Sequence, residues 1–191
     1  MELYLGVDQS LQRPGLALVD SAGTVVHTAT TRVGEKLRGA KRLEALVRFL
    51  HSEIDEWPKA RWQLTAMEGP SLNSTHREFD LGEASGVIRL ALYRILVVEP
   101  LIVAPSQLKL FATGRGGADK TEVMNAVNQQ WGVALTDDNE ADAVVLAQIA
   151  RAVHQRTRCA TRKQAEVVAA LSASDAKPKA SRPRRKSTIN I

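Results

Sequence analysis

The sequence predicts an α/β fold in which a mixed five-stranded sheet is flanked by helices and followed by a disordered basic tail. Three observations carry this. Short apolar runs separated by turn signals open the chain and read as a strand meander. From about Leu43 the apolar period lengthens to that of a helix, and strands then alternate with helices. From Ser172 onward the composition turns to Ala, Ser, Pro, Lys and Arg, which cannot build a core. With 191 residues, 44% of them apolar, the chain accommodates one domain and an appendage. We divide it into a domain over 1–171 and a tail over 172–191.

The elements follow in order. Leu3–Val7 and Gly15–Val19 read as strands, and Thr24–Thr28 as a third, joined to the second by the turn signal Asp20-Ser21-Ala22-Gly23. Leu43, Leu46, Val47, Leu50 and Ile54 recur at helical spacing until Trp57-Pro58 ends the pattern. Gln63–Met67 reads as a buried strand leading into Glu68, and Gly69-Pro70 breaks it. Leu81–Val98 is a long helix whose Gly82 and Gly86 give a small-residue face. Pro100–Ala104 is the fifth strand, and Pro105 starts a short helix ending at Thr113. Gly114-Arg115-Gly116-Gly117 is a flexible connection without the Gly-Lys-Ser/Thr ending of a phosphate-binding loop. A helix over Asp119–Trp131, a capped start at Thr136–Glu140, a helix over Ala141–Val153 and a last one over Gln164–Leu171 complete the domain. This order outlines an RNase H-like fold, although other α/β sandwiches share it.

Charge is unevenly placed. Residues 1–150 hold 19 acids against 15 bases, whereas six bases and no acid follow Ala176, so the formal +5 is C-terminal in origin. An acidic body with a basic end suits a metal-loaded domain that meets a polyanion, though such tails also serve solubility alone. The single Cys159 forms no internal disulfide, and no Cys/His cluster suggests zinc. No apolar run is long enough to span a bilayer, and the N-terminus lacks a basic segment before its apolar stretch. A cytoplasmic protein with no membrane partner is expected.

The carboxylates point to chemistry. Asp8 ends the first strand, Glu68 ends the fourth, and Asp138 and Asp142 open an apolar helix at a spacing that shares one face. Hard divalent cations such as Mg²⁺ prefer carboxylate oxygen, and a pair of them held by converging acids supports phosphodiester hydrolysis. Helix capping is the competing role for Asp137 or Asp138. Asp142 is different, because it lies within the apolar run Ala141–Ala147, where an uncompensated carboxylate is costly.

Leu5-Gly6-Val7-Asp8-Gln9-Ser10 followed by Gly15, Ala66-Met67-Glu68, Leu81-Gly82-Glu83-Ala84-Ser85-Gly86-Val87, Ala104–Lys109 with Ala118-Asp119-Lys120, and Asp138–Ala143 together resemble the RuvC family of Holliday-junction resolvases, especially phage-type members. The ordered likeness spans about residues 3–150. It implies a homodimer in which each subunit nicks one strand of a four-way DNA junction, using two Mg²⁺ ions per site or Mn²⁺ in their place. Asp8, Glu68 and Asp142 fall on the family's metal ligands, and Lys109 and Lys120 on basic positions that contact DNA or support the scissile phosphate, which makes Lys120 a catalytic candidate. The penultimate acid of the best-known members, three residues before the last, is here Asn139, while Asp138 stands four before. Either could be the fourth ligand; the sequence favours Asp138. The loop after Glu68 lacks the aromatic those members carry, and Phe79, which could replace it, reads rather as core. The same chemistry would serve an RNase H-like nuclease on RNA or RNA–DNA hybrids, and a non-catalytic module for branched DNA is the alternative of another class.

Further residues are weaker candidates. Arg77 and Arg115 are expected nucleic-acid contacts, and His76 and Asn73, which with Arg77 follow Glu68, are weaker ones. His27, His51 and His154 show no metal-ligand spacing. The Gly82/Gly86 face is a plausible dimer element, unless it packs on its own sheet.

Overall fold

The computed structural model describes residues 2–57, 61–69, 78–97, 99–156 and 159–175. Strands β1 (Glu2–Asp8), β2 (Gly15–Asp20) and β3 (Val25–Thr30) are followed by α1 (Gly39–Glu56), β4 (Arg61–Glu68), α2 (Glu78–Leu96), β5 (Leu101–Val103), α3 (Pro105–Thr113), α4 (Lys120–Trp131), α5 (Asp138–Gln155) and α6 (Arg162–Asp175). The sheet order is β3-β2-β1-β4-β5. β1, β2 and β3 form the antiparallel meander, and β4 and β5 continue it in parallel with β1. The predicted mixed five-stranded sheet is therefore present.

Strand alternation divides the interior into two layers. Leu3, Leu5 and Val7 point with Leu16, Leu18 and Met67 toward α1 and α2, where Leu46, Leu50, Ile88 and Leu92 meet them. Tyr4, Ala17, Val19 and Ala66 point the other way, into a layer built by α3, α4, α5 and α6. α5 buries eleven of its eighteen residues, because the sheet lies on one side and other helices pack on others. It lies close to the sheet for a specific reason. A Cβ on Gly6 would come within 1.9 Å of the Ala143 carbonyl oxygen, and one on Gly15 within 2.2 Å of the Asn139 carbonyl oxygen. Backbone rests on backbone at both points.

Two sequence expectations shift. α6 continues to Asp175, past the boundary drawn at Leu171, because Leu171 is a buried anchor and the Ser172–Asp175 segment after it, which holds neither Gly nor Pro, extends the last turn. Phe79 is not core: it lies in the first turn of α2 and is 78% exposed. The face bearing Gly82 and Gly86 does not pack on its own sheet, since among the described residues nothing lies within 4 Å of a Cβ placed on either. Residues 176–191, like Asn73, His76 and Arg77, lie outside the described residues.

Candidate active site

Three elements deliver the acids. β1 and β4 are neighbours in parallel, with Val7 registered on Met67, so the next residues, Asp8 and Glu68, end their strands side by side. Both follow the alternation that faces α5. α5 starts at Asp137, whose buried carboxylate caps it by accepting from the N–H groups of Asn139 and Glu140. Asp142 follows one turn later, and the close seating over Gly6 and Gly15 brings it to the ends of β1 and β4.

These side chains meet in one cleft of about 610 Å³, lined by Asp8, Gln9, Ser10, Glu68, Leu81, Pro105, Lys109, Lys120, Asn139 and Asp142. Lys109 arrives on α3, which begins at Pro105 with the Gln107 side chain accepting from the Ala104 N–H at 3.0 Å. Lys120 opens α4 behind the capping pair Asp119 and Glu122.

The electrostatics are those of an acidic pocket with two cations at its edge. Asp8 and Glu68 share a side-chain hydrogen bond. Burial, together with the charges of Glu68 and Asp142, holds the Asp8 carboxyl well above the usual range. Glu68 is raised by burial, against the pull of its hydrogen bond to Asp8 and the charges of Lys109 and Lys120. Asp142 is pushed up to about 7, first by burial and then by Glu68. Such crowding of buried carboxyls is costly unless a proton or cation offsets it. Among the described residues, no three His, Cys, Asp or Glu side chains stand close enough to hold an ion without movement. The donors nonetheless suit a hard divalent cation, since all are oxygens and, among the described residues, none is in a direct ion pair.

Asp138 occupies a different place from the other three acids. Its carboxylate pairs with the Lys120 ammonium at the mouth of the site, which lowers the Asp138 carboxyl and raises the Lys120 amine. Asn139, not Asp138, lines the cleft. Arg115 is exposed, paired with Glu122 at 2.6 Å, and not among the residues lining the cleft. Sequence reasoning missed Gln9, Ser10 and Arg13 on the β1–β2 connection. Their adjacency to Asp8 was the available signal, but four of the next six residues are polar and nothing in the pattern ranks them.

The sequence profile described as Crossover junction endodeoxyribonuclease RuvC matches residues 4–154. The chain belongs to the RuvC family. A RuvC from Synechococcus sp. (strain WH7803) is 29% identical over 150 residues, covering 75% of this chain and 94% of that one. One from Nitrobacter hamburgensis is 33% identical over 125 residues, covering 62% and 70%. Among solved structures, Thermus thermophilus RuvC in complex with Holliday junction substrate superimposes with a TM-score of 0.65 at 19% identity, covering 81% of this chain and 94% of that one. A second Thermus thermophilus RuvC structure gives 0.63 at 19% identity, covering 91% and 96%. These likenesses show the fold as RuvC-type. The RuvC match takes in every acid and lysine of the cleft and stops before α6.

Proposed function

We propose that the protein is a metal-dependent endonuclease that resolves four-way DNA junctions, acting as a homodimer in the cytoplasm with one strand nicked by each subunit. The convergence of Asp8, Glu68 and Asp142 with Lys109 and Lys120 in one open cleft carries this reading. Relatives named crossover junction endodeoxyribonucleases, one solved with a Holliday junction substrate, support the substrate class.

Asp8, Glu68 and Asp142 would hold two Mg²⁺ ions, or Mn²⁺, which when bound activate water and stabilise the leaving oxygen. The chain's own residues do the rest. Ion binding requires the three carboxyls to release the protons that burial favours. Lys120, drawn to the mouth by Asp138, is a positive charge placed for the scissile phosphate, and Lys109 is a second. Arg115 and Arg77 are proposed contacts to the DNA backbone, and the basic residues after Ala176 add attraction to phosphate. The nuclease unit extends over the described elements through α6, and 176–191 is the appended basic segment.

The proposed dimer would form on α2. Phe79, Gly82, Gly86, Leu90 and Tyr93 follow one another along one face of α2, and the three large ones are exposed, Phe79 by 78%. A continuous apolar helical face of this length is a mark of an interface.

Labelled four-way junctions, linear duplexes and RNA–DNA hybrids, incubated with and without Mg²⁺, test the reading. Paired, Mg²⁺-dependent nicking of the junction is expected. Asp8→Asn, Glu68→Gln and Asp142→Asn should each abolish it while junction binding survives. Preference for hybrids would assign the site to RNA, and binding without cleavage would make the protein a non-catalytic module.

A further inference from the structure

We infer that Arg13 and Asp137 are positioning residues that fix the side chain of Asn139, so that its amide oxygen faces the cleft as a neutral oxygen donor beside Asp8, Glu68 and Asp142. This rests on the metal-dependent reading of the cleft.

The contacts leave the amide one orientation. Asp137 Oδ1 accepts from the Asn139 backbone N–H at 2.9 Å, from Asn139 Nδ2 at 3.0 Å and from the Glu140 N–H at 3.4 Å. Asn139 Nδ2 also lies 3.3 Å from Asp138 Oδ1. Ionised carboxylates only accept, so exchanging the amide's oxygen and nitrogen would set oxygen against two carboxylate oxygens. The nitrogen therefore stays on Asp137 and Asp138, and Oδ1 is the amide atom left for the cleft that Asn139 lines. Asp138 is committed on both sides, with Oδ1 on Asn139 and Oδ2 on the Lys120 ammonium. It orients its neighbours instead of facing the acids.

Capping α5 needs only one oxygen of Asp137. Its second oxygen is held by the Arg13 guanidinium, although Asp137 is buried and Arg13 comes from a different part of the chain. Arg13 belongs to the β1–β2 connection that begins directly after Asp8, where Ser10 Oγ accepts from the Arg13 backbone N–H at 3.1 Å. One short segment thus carries the first acid and braces the cap from which Asn139 hangs. A residue fixed in this way through a partner can be worth roughly tenfold or more in metal affinity. Keeping the fourth position neutral also limits the cleft to three negative charges, which are already crowded.

The test is calorimetric titration of metal-free protein with Mn²⁺, for the native chain, Arg13→Ala, Asn139→Ala and the double variant, each checked by thermal melting. Each single change should weaken Mn²⁺ by roughly tenfold. The double variant should be no weaker than Asn139→Ala alone, because the brace acts only through the amide it holds. Arg13→Lys should recover part of the loss. An equal loss from Arg13→Ala in both backgrounds, or none in the native one, would overturn the inference, as would a loss from Asp138→Asn without one from Asn139→Ala. Native protein that binds no Mn²⁺ sensitive to Asp8→Asn would instead overturn the metal reading on which the inference rests.

Discussion

Asp142→Asn should inactivate the enzyme and stabilise the metal-free protein. The Asp142 carboxyl is raised from 3.8 to about 7 by burial and by Glu68, with Asp138 adding to the rise. Between those two values the folded chain holds a proton that the unfolded chain has released. Stability is therefore lost as pH rises through this window, and the loss is complete above about pH 7. For one isolated carboxylate the rise corresponds to ~4 kcal/mol at about 1.36 kcal/mol per decade. Asp8 and Glu68 share the same crowding, so removing one charge should return about half, ~2 kcal/mol. For a domain of this size that is about 4–8 °C in melting temperature. Melts in chelator at a series of pH values would measure it. The gain should be small near pH 4, grow toward pH 7 and stay level beyond. Added Mg²⁺ should raise the native melting temperature at pH 8 and leave the variant's unchanged. A variant less stable than native at pH 8 in chelator, or a gain independent of pH, would refute the argument that the three acids form a charge-strained site.

Leu90→Glu and Tyr93→Glu, which place charge on the exposed α2 face, should yield a monomer in sedimentation with little change in melting temperature. A dimer persisting in both would move the interface elsewhere. Gly15→Ala drives a Cβ against the Asn139 carbonyl oxygen, so it should cost about 1–3 kcal/mol on overpacking grounds and reduce cleavage beyond what the lost stability explains. Deleting residues from Ala176 onward removes six cations. It should lower affinity for linear and branched DNA by similar factors and flatten the salt dependence; selective loss of junction binding in a competition series would show that this segment reads structure.

Strand and helix periods were legible because alternation and 3.6-residue spacing are imposed by which face each element buries. Leu3, Leu5 and Val7 against α1 and α2, and the buried run Ala143–Ala147 of α5, are direct products of that constraint. The positions of Asp8, Glu68 and Asp142 were legible for a related reason: a carboxylate at the end of a buried strand or inside an apolar run is improbable without a task. Local pattern does not say which of two neighbouring polar residues faces a cleft. Asp138 and Asn139 differ by about 100° of helix rotation, and what assigns them is their partners, Lys120 from α4 for one and the Asp137 cap for the other. Those partners lie 18 and 2 residues away, while the Arg13 brace on the cap comes from 124 residues away. A single sequence records a contact at that distance only as two charged residues among many. The same limit hid the exposure of Phe79, since an aromatic at the start of a helix reads as core until the neighbouring helix is seen to bury Ala84, Ile88 and Leu92 instead. Burial predicts where a charge is expensive, and tertiary partners decide what each charge is for.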